Sequence, residues 1–213
     1  MSTPTDSSSA LRANLDAHLA AHDRAAAVVE AVEAISRGDI SVSALYLNIL
    51  APLMMETGNA WQAGEIEVWE EHFATATVYT IVDALYPEVA RLAAEATAKP
   101  GTVLLACPPE EEHDLGLRML SDRFEIAGWD TTFLGANTPV DDIVAAARKL
   151  GANLIVLSSS THYHRVRLCG VVETIEAELP DTRVVAGGAA FLFDSGDWPE
   201  KNLFAETIIA QGA

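Results

Sequence analysis

The run from Thr102 to Gly116, TVLLACPPEEEHDLG, decides the fold. It opens with an apolar, β-branched stretch of the length of a buried strand. Pro108 and Pro109 end that stretch, and ionisable groups from Glu110 to Asp114 fill the turn before an amphipathic segment begins. Strand, polar turn and helix in that order make a βα unit. Outward from it the pattern recurs: residues 131–134, 154–158 and 183–186 read as strands, and 115–127, 139–150 and 166–179 as the helices between them. This alternation predicts a parallel sheet with helices on both faces. Ligands of such sheets gather beyond the carboxyl ends of the strands, so chemistry is expected in the loops after Cys107, Leu134, Ser158 and Ala186. The first of these lacks GxGxxG, which argues against a dinucleotide.

Upstream the pattern is different. Residues 10–96 are rich in Ala, Leu, Val and Glu, with apolar residues at helical spacing. One stripe is Leu11, Leu15 and Leu19. A second, Ala25, Val28, Val29, Val32 and Ile35, stops at Arg37-Gly38, a basic residue followed by a helix-ending glycine. Ser41 or Ser43 starts the next stripe, Leu45, Ile49, Leu50, Leu53 and Met54, in which Pro52 removes a backbone donor and predicts a kink or a break close to it. A long helix then carries Ile66, Trp69, Phe73, Val78, Ile81, Val82 and Leu85, with Trp69 expected in the core. Four or five helices in a bundle bury these faces. The expected division is a disordered start over residues 1–9, a helical bundle over 10–98 and the α/β domain over 99–213.

The 213 residues are 50% hydrophobic, enough for one large or two small cores, and carry a formal charge of -18. Such a surface repels phosphate backbones, and no basic patch offsets it, so direct nucleic-acid binding is not expected. No apolar run approaches the roughly 20 residues of a membrane span, and the polar start does not look like a signal peptide, so a cytoplasmic location is the default. Cys107 and Cys169 lack metal-site spacing and read as buried, reduced thiols.

Forty-one residues separate Gly116 from Ser158, and twenty-six separate Ser160 from Gly187-Gly188. With Glu111, His113 and Gly116 these positions resemble the cobalamin-binding domain shared by corrinoid methyltransferase components, adenosylcobalamin mutases and cobalamin photoreceptors. Its signature is an acidic residue, x, His, x, x, Gly, then Ser-x-Leu, then Gly-Gly; Ser160 stands here where the signature has Leu. The resemblance implies a fold of α plus α/β class, a helical cap before a Rossmann-like (flavodoxin-like) domain. It also implies cobalamin as cofactor and His113 as lower axial ligand of the cobalt. Gly116, Ser158, Ser159, Gly187, Gly188 and Ala189 would line the slot for the displaced nucleotide tail, Asp114 and Ser160 would also contact the cofactor, and Thr138 would cap a helix along the corrin rim. Imidazole is a good cobalt ligand, and Glu111 bonded to its other nitrogen would fix the tautomer.

Trp61, followed after nine residues by Glu71-His72, resembles the helical domain of light-sensing cobalamin regulators of the MerR family, and their basic DNA-binding head is not expected here. By that resemblance Trp61 covers the upper corrin face while Glu71 and His72 meet an adenosyl group, which favours adenosylcobalamin, with methylcobalamin the alternative. Those regulators carry a histidine directly after the tryptophan, which takes the cobalt once light removes the adenosyl group. This chain has Gln62 there. His162 and His164 are substitutes to consider, although a hydrogen-bonding or surface role is the simpler reading for both. No enzyme activity is expected. The leading expectation is a cobalamin sensor signalling to a protein partner such as a transcription regulator. A corrinoid carrier for a methyltransferase comes next, then cobalamin storage or delivery, and a homo-oligomer is compatible with each.

Overall fold

A computed structural model describes residues 4–192 and 198–211. The chain divides into two compact units, Met1–Val89 and Ala90–Ala213. Their border falls inside a long helix and nine residues before the end expected for the bundle.

The first unit is all helix. α1 (Pro4–Ala20) begins well before Ala10, so residues 4–9 are helical where disorder was expected, and residues 1–3 lie outside the described residues. α2 (Arg24–Ser36) starts on Asp23, whose carboxylate accepts the Ala26 N–H. α3 (Val42–Leu45) starts on Ser41, whose hydroxyl accepts from Ala44. It runs without a break through a π-helical turn at Tyr46–Leu50 into α4 (Ala51–Gln62). Pro52 therefore produces no break. It sits in the first turn of α4, where a missing N–H is tolerated, and the π turn just before it absorbs the lost spacing. α5 (Val68–Glu95) is the long helix, continuous through Pro87. Leu11, Leu15, Leu45, Ile49, Leu53, Val78, Ile81 and Leu85 are buried as the stripes foretold. The stripe expected for α2 is not: Ala27, Ala31 and Ala34 form its buried face, while Ala25 and Val29 are exposed and Val28, Val32 and Ile35 only half-buried, because the small alanines are the face that lets α2 pack closely. Nor is Trp69 buried: it is 54% exposed, its ring lying against His22 instead of in the core.

The second unit holds β1 (Thr102–Ala106), β2 (Asp130–Gly135), β3 (Leu154–Ser158) and β4 (Arg183–Gly187), all parallel, in the order β2-β1-β3-β4. Alternate residues of each strand face opposite layers. Leu104, Ile155, Leu157 and Val184 pack with α7 (Val140–Leu150) and α8 (His162–Glu178). Val103, Leu105, Val156 and Val185 pack with α6 (Leu115–Ile126) and with α9 (Thr207–Gln211). The chain runs from β1 outward to β2 on one side and from β3 to β4 on the other. The order reverses between β1 and β3, the switch point where ligands of such sheets gather. Among the described residues no helix is long and apolar enough to cross a membrane.

Candidate functional site

The two loops flanking the switch point meet on one carboxylate. Glu111, in the loop after β1, is 0% exposed. Its Oε1 faces the Nδ1 of His113 at 2.6 Å and accepts the His113 backbone N–H at 3.0 Å. Its Oε2 accepts the Ser160 backbone N–H, from the loop after β3, at 2.7 Å, and faces the Nδ1 of His164 at 2.9 Å. Burial pushes this carboxyl up, but the bonds from the His113 ring, Ser160 N–H and His113 N–H, with the His113 charge, outweigh it and hold the group down at about 2. An ionised carboxylate only accepts, so Nδ1 of His113 is the protonated nitrogen and Nε2 is the one with a lone pair to offer. The His113 side chain is 68% exposed. The carboxylate is sealed in and the imidazole it holds stands outward.

Strained backbone shapes this loop. Glu110 and Asn137 have positive φ angles of 72° and 50°. Each is held by the other's loop: Asn137 Oδ1 accepts the Glu110 N–H at 2.9 Å, and the Asn137 N–H donates to the Glu111 carbonyl at 2.9 Å. From α8, Arg167 reaches Glu110 at 2.5 Å. The Cys107 thiol, buried where β1 ends, lies 3.7 Å from the His113 carbonyl, and burial pushes it well above the ordinary thiol value.

The other expected site residues fall into groups. Gly116 is the second residue of α6 and has nothing within 4 Å of where a Cβ would stand, so this surface is open. Asp114 precedes α6 but caps it with no side-chain bond. Thr138 does not cap either: Pro139 holds the N-cap position of α7, and the Thr138 hydroxyl turns back to the Gly135 carbonyl at 3.3 Å. The glycine pair follows β4. At Gly188, with φ at 103°, a Cβ would stand 2.5 Å from the Ser159 carbonyl and 2.9 Å from the Ser158 hydroxyl. Gly188 therefore lets the chain press against the β3 loop, a close packing rather than an open wall. Gly187 meets Phe204 in the same way at 3.2 Å. Ser160 takes part through its backbone N–H.

In the helical unit, Trp61 lies in the last turn of α4 and is 46% exposed. Glu71 lies in the first turn of α5 and His72 directly after it, the two joined by a 2.6 Å contact, and Glu71 also accepts from Thr75 at 2.7 Å. His162 pairs with Arg165 at 3.0 Å and His164 with Glu111, so both are engaged in hydrogen bonds. Cys169 is exposed, against the expectation of a buried thiol, because it faces outward from α8. Asn137 and Arg167 were missed in the sequence. A non-glycine residue at positive φ carries no sequence mark stronger than asparagine itself.

The structure joins an all-helical unit and a parallel sheet in flavodoxin order, with a carboxylate-held imidazole at the switch point of the sheet. Among the described residues no three His, Cys, Asp or Glu side chains are placed to hold a metal ion. A single presented imidazole suits a metal whose remaining positions arrive already filled by a macrocycle. The donor set thus fits cobalamin. The B12 binding domain family model matches residues 101–212, and a second B12 binding domain model matches residues 11–86. The chain belongs to the B12 binding domain family.

Among its relatives is the HTH-type transcriptional repressor CarH of Myxococcus xanthus, 32% identical over 52% of this chain and 35% of the repressor. The repressor CarA of the same organism is 29% identical over 70% of this chain and 48% of its own length. This chain thus spans a third to a half of those regulators. Dimethylamine corrinoid protein 2 of Methanosarcina mazei is 26% identical over 86% of this chain and 80% of its own. The structure of the monomethylamine corrinoid protein of Methanosarcina barkeri superposes with a TM-score of 0.74, covering 88% of this chain and 87% of that one at 19% identity. That likeness establishes the shared fold: a helical region followed by the four-stranded parallel α/β domain.

Proposed function

We propose that this cytoplasmic protein carries cobalamin with His113 as lower axial ligand and works by presenting the cofactor to a protein partner, without catalysing a reaction itself. The observation that carries this reading is the Glu111–His113 pair. Its 2.6 Å bond fixes the protonated nitrogen and leaves Nε2 as the one to meet cobalt. The bound cofactor would supply a cobalt able to hold a methyl or adenosyl group on the opposite face. Glu111 orients the imidazole and keeps it electron-rich. Gly116 borders the open surface on which the nucleotide tail would lie.

Two uses of the cofactor are separated by different residues. Gln62, whose amide is a weak ligand, removes the imidazole that a light-triggered switch would need, and it favours a corrinoid carrier of the kind its dimethylamine relatives are named for. The exposed Trp61 with Glu71 and His72 favours recognition of an adenosyl group, and so a sensor like the regulators. Visible spectra decide. Protein loaded with adenosylcobalamin or methylcobalamin should show the histidine-ligated absorption, and His113→Ala should lose it. An adenosyl-loaded form that changes spectrum and oligomeric state on illumination selects the sensor, whereas methyl transfer with a partner enzyme selects the carrier. Protein that stays colourless with every common corrinoid overturns both.

A further inference from the structure

The buried carboxylate serves two imidazoles, and only one of them belongs to the family signature. We propose that His164 is a positioning residue that sets the donor strength of His113 through the Glu111 carboxylate the two rings share. The inference rests on the reading of His113 as cobalt ligand and adds a control on how strongly it binds.

Four donors converge on the two oxygens of Glu111: the His113 ring and N–H on Oε1, the Ser160 N–H and the His164 ring on Oε2. A carboxylate has about four lone-pair sites, so this one is saturated. Every donor draws on the same charge. What His164 takes from Oε2 reduces the pull that Oε1 exerts on the His113 Nδ1 proton, and a weaker pull leaves Nε2 a poorer donor to a metal. His164 is sheltered, its side chain 16% exposed, so water does not replace this bond easily.

The start of α8 does not depend on the shared carboxylate. The hydroxyl of Thr161 accepts the His164 N–H at 3.2 Å as a helix cap, and Arg167 and Tyr163 tie the same helix to Glu110. Removing the ring therefore removes a bond to Glu111 and leaves the helix start in place. Ser160 and the His113 N–H still hold the carboxylate in its rotamer, so the effect on His113 is electronic.

The test uses His164→Leu, which cannot donate, and His164→Gln, whose amide N–H can. Aquacobinamide, a corrin without the nucleotide tail, is the probe, because its affinity reports the axial bond directly. His164→Leu should bind it about two- to fivefold more tightly. The reduced cobalt(II) form should show a larger axial nitrogen splitting in electron paramagnetic resonance, and His164→Gln should return both values toward the wild type. In the protein without corrinoid, the His113 Nδ1 proton of His164→Leu should resonate further downfield. Wild-type affinity and splitting in His164→Leu overturn the proposal. Weaker binding or a lost nitrogen splitting also overturn it, since they are what a merely supporting residue would give. Should His164→Leu fail to fold, His164→Ser, too short to reach Glu111, carries the same expectations. A wild type with no axial nitrogen splitting, or a splitting that persists in His113→Ala, would instead overturn the assignment of His113 itself.

Discussion

At the scale of single residues, Glu111 carries the largest energetic consequence. It is a fully buried charge with its donors in place, and removing it strands the Ser160 N–H and the sheltered His164 ring. Glu111→Ala should cost about 2–3 kcal/mol of stability, read from urea unfolding. Corrinoid affinity should fall about 10- to 100-fold, because an orienting partner of a metal ligand has been lost. Cys107 gives a second prediction. Burial holds its thiol protonated, so the folded state keeps a proton that the unfolded chain gives up above the ordinary thiol value of 9.0. The folded pKa is raised, so stability is full below that pH and falls above it, by up to about 1.4 kcal/mol per pH unit. Comparing wild type with Cys107→Ala by unfolding at pH 8 to 10.5 should show a steeper decline in the wild type. At neutral pH a thiol reagent should label Cys169 quickly and Cys107 only on unfolding.

At the scale of elements, two glycines of the same signature should respond oppositely to alanine. Gly188→Ala sets a Cβ 2.5 Å from the Ser159 carbonyl at φ of 103°, so it should cost about 2–3 kcal/mol or more and disturb the β3 loop that holds Glu111. Gly116→Ala stands in open space within α6 and should stabilise the protein without corrinoid by about 0.5–1 kcal/mol, while hindering whatever lies on that surface. Thermal melts beside corrinoid titrations check both. The contrast also shows what was legible in the sequence. Strand positions came through within about one residue at either end, because β-branched runs bounded by turns leave few alternatives. α8 begins at His162, four residues before the expected start, since His-Tyr-His-Arg has no apolar period and only the Thr161 cap reveals the helix. The Glu111–His113 pair was readable because it is local. The His164 contact spans 53 residues and exists only once that early helical turn is formed.

At the scale of the whole molecule, the division into two compact units sets how the cofactor should act on stability. The sheet unit has its own double-sided core, and the helical unit buries apolar residues of its own. A ligand that binds only the folded form stabilises it by mass action, by about 2.7 kcal/mol at a hundredfold excess over Kd. If His113 supplies the axial bond, the gain should appear first in the unfolding of the sheet unit, as a rise of roughly 10 °C in its midpoint. His113→Ala should lose most of that rise while melting normally without cofactor, because its ring is mainly exposed and its removal opens no core cavity. Trp61→Ala should melt normally as well, since its side chain is half exposed. Its effect should instead depend on the upper group, with the stabilisation by adenosylcobalamin reduced more than that by methylcobalamin. Equal losses for the two cofactors would show that Trp61 does not discriminate between upper groups, and the adenosyl-sensing reading would fall with it.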